Sequence, residues 1–102
     1  MINCEYKLPV GDLASRSRAI GERKKIEEFL QKNEHLLVNC DDVLSISESY
    51  ADEIFGVLVV QYGFDFLLEN LTIVNAKKHV LQSIASVIDR RNQESSNKAQ
   101  MN

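Results

Sequence analysis

The chain has 102 residues, with 12 lysines and arginines against 15 aspartates and glutamates, and a formal net charge of −3. This length is enough for a single domain with one hydrophobic core. The acidic balance argues against a nucleic-acid-binding protein, which usually has a basic face. No apolar run approaches the roughly 20 residues that a membrane span requires, and no signal-peptide pattern follows Met1. We therefore expect a cytoplasmic protein that binds neither nucleic acid nor membranes.

The first half of the chain predicts two strands with a helix between them. Residues 2–8 alternate apolar and polar side chains, which indicates a half-buried strand near a sheet edge. A turn is predicted at Gly11 and Asp12, because both residue types favour turns. Apolar residues at helical spacing then predict a helix over 15–31, and the apolar run within 35–40 predicts a strand covered on both faces.

A helix beginning at Ser49 is the clearest prediction in the second half. A serine-rich turn precedes it, and Asp52 follows three residues later, as in a capping box. Up to residue 62 the apolar residues have the spacing of a helix that packs on a core: Ile54, Phe55, Leu58, Val59 and Tyr62. Gly63 fits the left-handed position that ends a helix. We expect this helix to pack its apolar side against the sheet.

The remaining segments continue the alternation of strands and helices. Residues 64–70 fit either a short helix or a packed loop, the branched side chains of 71–74 predict a strand, and 77–91 predict a last helix. The order predicts a small α/β domain over residues 1–91, with a largely parallel or mixed sheet and crossover helices. Residues 92–102 lack periodicity and predict a disordered C-terminal tail.

Three segments of the sequence resemble a known family. They are Gly11-Asp12-Leu13-Ala14-Ser15-Arg16-Ser17-Arg18-Ala19, the stretch from Ser45 to Gly56 with Tyr-Ala-Asp-Glu-Ile-Phe-Gly, and Leu71 to Asn75. Together they resemble the STAS-like domain family of unknown function, which is itself similar to the STAS domains of bacterial anti-sigma-factor antagonists. The resemblance covers nearly the whole chain up to about Arg91 and implies a STAS-like domain that binds another protein.

The resemblance also implies where that protein binds. STAS antagonists bind a kinase-like ATPase through the loop before a helix and the first turn of that helix, and in many of them the partner phosphorylates a serine there. The corresponding loop in this sequence is residues 47–52. We therefore predict an acidic partner-binding surface that suits a basic cleft, formed by Ser47, Glu48, Ser49, Asp52 and Glu53, together with Asp12.

A phosphorylation switch is one of two interpretations of the serines in this loop. The position phosphorylated in the antagonists falls on Glu48 when counted from the preceding strand, and on Asp52 when counted back from within the helix. A carboxylate there would keep the surface anionic without phosphorylation. Ser47 and Ser49 are the nearby candidates for a phosphorylation site, but a helix N-cap is the favoured interpretation of Ser49.

Few residues have the pattern of a catalytic or metal site. His35 and His79 have no HxH or HExxH spacing. Asp41 and Asp42 follow a predicted strand, but the isolated glycines provide no phosphate loop, so a turn is favoured over a magnesium site. We expect no metal and no other cofactor. The cysteines are expected to be reduced core thiols rather than nucleophiles: Cys4 and Cys40.

These features favour a non-enzymatic regulator that resembles an anti-sigma-factor antagonist. It would be a monomer or weak homodimer that binds a kinase-like ATPase or a related regulator. The alternative is a small phage or mobile-element protein that inhibits or assembles with a host complex, through the same surface or through the basic face of residues 16–25. An enzyme or nucleotide binder that uses Cys40, Asp41 and Asp42 ranks last.

Overall fold

The chain forms two parallel sheets in the computed structural model, which describes residues 3–32 and 34–100. The larger sheet has three strands, with β3 in the middle; the smaller sheet has two. All three strand pairs are parallel, as a series of crossover connections requires. The predicted α/β class is therefore confirmed. In the larger sheet the order is β1 (Asn3–Lys7), β3 (His35–Asn39) and β5 (Leu71–Val74), and in the smaller sheet β2 (Gly11–Leu13) pairs with β4 (Val43–Ile46).

The larger sheet agrees closely with the sequence pattern. Strand β1 lies at an edge, as its alternation predicts. The two strands predicted within 35–40 and 71–74 are confirmed, and they pair in parallel, with Leu36 opposite Leu71 and Val38 opposite Ile73. Leu36 and Val38 are completely buried.

The helices surround one long helix, residues 48–62, which we call the central helix. It packs against both α1 and α5. None of the helices in the described part of the chain combines the length and the apolarity needed to cross a membrane. The helices are α1 (Arg16–Leu30), the three parts of the central helix, namely α2 (Glu48–Ala51), a π-helical segment (Asp52–Gly56) and α3 (Val57–Tyr62), then α4 (Phe64–Asn70) and α5 (Lys78–Gln100).

The core lies around the central helix. Its apolar side is completely buried, as predicted, at Ile54, Phe55 and Leu58. The two helices that pack against it also contribute buried residues to the core, among them Ile26 in α1 and Ile84 in α5. Burial of a large apolar side chain stabilises the fold by roughly 1.5–3 kcal/mol, so this helix is the main organiser of the core.

Strands β2 and β4 correct the prediction of turns in these segments. Gly11 has a φ of 101°, and the strand pairing shifts register between Gly11 and Asp12, so the glycine forms a β-bulge instead of a turn. The strands have only three and four residues and pair with each other across about 30 positions of sequence. A local pattern of this length carries too little periodicity to distinguish a short strand from a turn.

The C-terminal region corrects a second prediction. The predicted helix ends at residue 91, before a disordered tail over 92–102, but α5 continues through Gln100; residues 101 and 102 lie outside the described residues. Side chains of residues 93–96 are exposed. This segment contains neither glycine nor proline, so its helix persists without apolar packing.

In residues 64–70 the helical alternative is correct, and Gly63 precedes this helix with a φ of 91°.

Candidate functional site

Two helix N-termini leave the same edge of the smaller sheet. Ser15 caps α1 just after β2, and Ser47 caps α2 directly after β4. The backbone amide of Ser47 donates to the carbonyl of Leu13 at 2.8 Å, which holds the two chain segments together. The carboxyl ends of parallel strands are the usual place for binding sites in α/β proteins. This edge is therefore the candidate site.

Ser47, and not the predicted Ser49, is the N-cap of the central helix. The Ser47 hydroxyl accepts a hydrogen bond from the Tyr50 amide at 3.1 Å, and its backbone is extended, with φ of −75° and ψ of 157°. Ser49 lies inside the first turn, with its hydroxyl 3.2 Å from that of Ser47. The prediction was wrong by two residues because the structure selects the serine whose backbone is extended.

Asp12 joins the site through the pairing of β2 with β4. It lies opposite Ser45, whose hydroxyl donates to Oδ1 of Asp12 at 2.6 Å. Asp12 is exposed. The structure thus brings the predicted residue from the first crossover to the same edge as Ser47.

Glu48 is the most accessible of the three predicted carboxylates in the central helix. Its side chain is 73% exposed and forms an ion pair with Arg90 at 2.6 Å. It borders a cleft of about 350 Å³ between the start of the central helix and α5. Nε2 of His79, which lines this cleft, lies 2.7 Å from the carbonyl oxygen of Leu44, a residue that is 54% exposed. The cleft is lined by Glu48, His79, Gln82, Ser83, Ser86 and Val87.

Asp52 is held inside the molecule by two arginines. Arg91 donates to its carboxylate from Nε at 2.8 Å and from Nη2 at 2.7 Å, and Arg90 approaches at 3.4 Å. The Asp52 side chain is only 13% exposed. Hydrogen bonding from Arg91 is the main reason that the pKa of Asp52 lies below its usual value. Asp52 therefore fastens α5 to the central helix.

Glu53 has the same role toward α1. Its carboxylate binds Arg23 at 2.6 Å and Arg16 at 2.9 Å, and its side chain is 13% exposed. Arg23 also donates to the Glu53 carbonyl at 3.2 Å. Of the three predicted carboxylates in the central helix, Glu48 alone presents most of its surface to solvent.

Gly56 provides the space for the Asp52 carboxylate. A Cβ at this position would overlap Oδ1 of Asp52 and lie 3.1 Å from Cγ of Arg91. Asp52 and Gly56 are the first and last residues of the π-helical segment. Such segments occur frequently at functional sites. Here the segment coincides with the Asp-Glu-Ile-Phe-Gly part of the sequence motif.

A family model described as the STAS-like domain of unknown function (DUF4325) matches residues 23–81, more than half of the chain. The chain belongs to this family. The match to the STAS-like domain includes β3, β4, the complete central helix and β5. No significant match was found among the curated proteins or the solved structures compared with the chain.

The other polar candidates of this STAS-like domain have separate partners. Burial raises the pKa of the completely buried Cys40 thiol to about 11, and Asp42 forms an ion pair with Lys7 at 3.1 Å. His35 Nε2 lies 2.7 Å from Thr72 Oγ1. In residues 3–32 and 34–100, no three histidine, cysteine or acidic side chains are grouped as metal ligands. Cys4 is a free, half-buried thiol.

The sequence did not indicate the arginines that bind the acidic residues of the STAS-like domain. These arginines lie 30 to 42 positions from their partners, so no helical or strand spacing connects them. The sequence offered one indication of them, the run of charged residues in α1, which shows that Arg16 and Arg23 lie in the same segment. The residues are Arg16, Arg23, Arg90 and Arg91.

Proposed function

We propose that this STAS-like domain is a non-enzymatic regulator that binds another protein through its tip, the surface formed by Ser47, Glu48, Ser49 and Asp12. The supporting observation is the Glu48 carboxylate, which is 73% exposed in the first turn of the central helix. An exposed charged group suits protein recognition, since charge complementarity provides selectivity and speeds association. In this proposal Asp52 and Glu53 stabilise the tip from within and do not contact the partner.

The proposed partner is a kinase-like ATPase, or a related regulator, with a basic cleft. Of the two positions that correspond to the phosphorylated residue of the antagonists, Glu48 is exposed and Asp52 is not. A partner can therefore contact a permanent negative charge at Glu48. Phosphorylation of Ser47 or Ser49 stays a prediction, and the Ser47 hydroxyl is already used as the helix cap.

The proposal treats the domain as a cytoplasmic monomer or weak homodimer without a metal or other cofactor, and without nucleic-acid or membrane binding. The buried Cys40 supports the non-enzymatic assignment, because burial disfavours the thiolate that nucleophilic catalysis requires.

A second candidate is a phage or mobile-element protein that assembles with a host complex. The basic face of residues 16–25 supports it poorly, because Arg16 and Arg23 bind Glu53. An apolar groove between α4, β5 and α5 gives it better support, because Leu68 is 62% exposed and Leu81 is 45% exposed there. Leu68→Glu would disrupt an assembly through this groove and leave the tip intact.

Affinity capture from the native host tests the main proposal. We expect the wild type and Glu28→Lys to retain one partner, and Glu48→Lys to lose it. Glu28 is an exposed residue near the other end of α1, so it controls for the change in net charge. Like charges placed across an interface cost several kcal/mol, which changes affinity by orders of magnitude. Equal capture of the partner by Glu48→Lys and wild type would remove Glu48 from the binding surface.

A further inference from the structure

Strand β5 has an open edge. It lies at one side of the larger sheet, and no other strand in residues 3–32 and 34–100 pairs with its outer side. The Val74 carbonyl accepts from the Cys40 amide at 2.9 Å, so the backbone of Val74 is turned toward β3. The backbone groups of successive residues in a strand point to opposite sides. Ile73 therefore presents its amide and its carbonyl to the open edge, where they can pair with an added strand.

The two outer strands of the larger sheet differ in how well they resist such pairing. Strand β1 has exposed charged side chains, Glu5 and Lys7, and charges on an edge strand discourage pairing with another chain. Strand β5 reads Leu-Thr-Ile-Val, without a charge, a proline or a glycine, and its pairing with β3 shows no bulge. Branched side chains of this kind favour strand pairing. The edge that suits an added strand is therefore β5.

An apolar groove adjoins this edge, between α4, β5 and α5. Its volume is about 360 Å³, and Ile73 lies in its lining. Two leucines of the groove reach solvent, Leu68 of α4 at 62% exposure and Leu81 of α5 at 45% exposure. Exposed apolar side chains that are grouped in this way mark an interaction surface.

The two helices that form the groove have opposite charges beside these leucines. On α4 the exposed Asp65 and Glu69 are close neighbours of Leu68, and on α5 the exposed Lys78 lies one turn before Leu81. These three charged side chains form no ion pair within the described part of the chain. A groove with one acidic and one basic side is complementary to a copy of itself in the reversed direction.

We propose that β5 pairs antiparallel with β5 of a second copy of this chain, in a dimer with two-fold symmetry. Each Ile73 amide donates to the Ile73 carbonyl of the other copy. Because the strands run in opposite directions, α4 of one copy meets the start of α5 of the other. Leu68 then packs near Leu81, and Glu69 pairs with Lys78, twice in each dimer. Such an interface uses the same surface of both subunits and extends the larger sheet from three strands to six.

The dimer is expected to be weak, because a strand of four residues buries little surface. None of the tip residues lines the groove, so self-association and partner binding at the tip can be tested separately. The second copy would occupy the groove that the second candidate function assigns to a host complex.

Sedimentation velocity over a range of protein concentrations tests the dimer. The sedimentation coefficient of the wild type should rise with concentration. Lys78→Glu and Glu69→Lys should each weaken the dimer about tenfold, because each variant alone places like charges across the interface at two positions. An equimolar mixture of the two variants should recover the dimer, since both of its charge pairs are then opposite in sign. This recovery requires that the two residues meet between two copies of the chain.

Two exposed residues of α1 provide matched controls, Lys24→Glu and Glu28→Lys. Each makes the same charge change outside the groove, so the dimer should stay within about twofold of the wild type, and mixing the two should add nothing. Thermal melts close to that of the wild type would show that the groove variants are folded.

Hydrogen exchange of the Ile73 amide in the wild type tests the strand pairing itself. This amide should exchange fast in dilute protein and at least about fivefold more slowly in concentrated protein, as it gains an acceptor from the second copy. A wild type that stays monomeric up to millimolar concentration would overturn the proposal. So would a mixture of the charge variants that is no more dimeric than either alone, or Ile73 exchange that does not depend on concentration.

Discussion

Arg91 donates two hydrogen bonds to Asp52, from Nε at 2.8 Å and from Nη2 at 2.7 Å, across 39 positions of sequence. Two parallel bonds from a planar guanidinium fix both distance and orientation. Because Asp52 also lies against Gly56, the pair fixes the path of α5 across the π-helical segment. The sequence suggests that the acidic motif is a binding surface. Part of that motif, Asp52, instead forms an ion pair inside the protein.

The space at Gly56 can be tested by adding one methyl group. Gly56→Ala should lower the free energy of unfolding by about 1–3 kcal/mol, because the new Cβ displaces the Asp52 carboxylate. Gly21→Ala is the matched control: nothing lies within 4 Å of its Cβ position, and alanine favours a helix interior by roughly 0.5–1 kcal/mol. Urea denaturation of both variants should give shifts of opposite sign. A neutral Gly56→Ala would contradict the close contact.

The Asp52–Arg91 pair predicts a dependence of stability on pH. Since Asp52 has a folded-state pKa below its unfolded value of about 3.9, the unfolded state binds more protons in this range. The stabilisation is therefore present above about pH 4 and is lost as the pH falls through the folded-state pKa. Asp52→Asn should cost about 1.5–3 kcal/mol at pH 7, and progressively less as the pH falls below about 4. Denaturation across this pH range measures the difference.

Asp41→Asn provides the control for this pH experiment. Asp41 is exposed, and its side chain forms no ion pair in the part of the chain that the structure describes. Its substitution should change stability by within about ±0.5 kcal/mol at either pH. If Asp52→Asn and Asp41→Asn gave the same pH profile, the pair with Arg91 would contribute nothing measurable.

Substitution of Phe55 should cause the largest loss of stability. It is completely buried in the central helix, so Phe55→Ala should cost on the order of 3–5 kcal/mol through the cavity that it leaves. Val60, in the same helix, is 57% exposed, and Val60→Ala should stay within about ±0.5 kcal/mol. Guanidinium denaturation compares the two, and similar losses for both would be inconsistent with the packing of this helix.

The helix cap can be assigned by two serine substitutions. Ser47→Ala should cost about 1 kcal/mol, because the Tyr50 amide loses its acceptor. Ser49→Ala removes a hydroxyl inside the first turn and should change stability by less than about 0.5 kcal/mol. Thermal denaturation distinguishes the two sites, and a larger loss at Ser49 would restore the cap that the sequence suggests.

Sequence patterns alone predict the α/β class, strands β3 and β5, and the apolar side of the central helix. Each of these depends on a local period, so residues such as Val38 and Phe55 could be placed in the core without a structure. The short strands at Gly11 and Val43 were beyond this reasoning, because each becomes a strand only by pairing with the other.

The tertiary structure decided which charges of the acidic motif reach solvent. The sequence gives Glu48, Asp52 and Glu53 the same character, but packing brings arginines from α5 and α1 against them, and only Glu48 remains largely exposed. The sequence shows the charge of a carboxylate but not its burial or its partners. Whether it recognises a partner or joins two helices depends on side chains 30 to 42 positions away, which only the folded chain brings into contact.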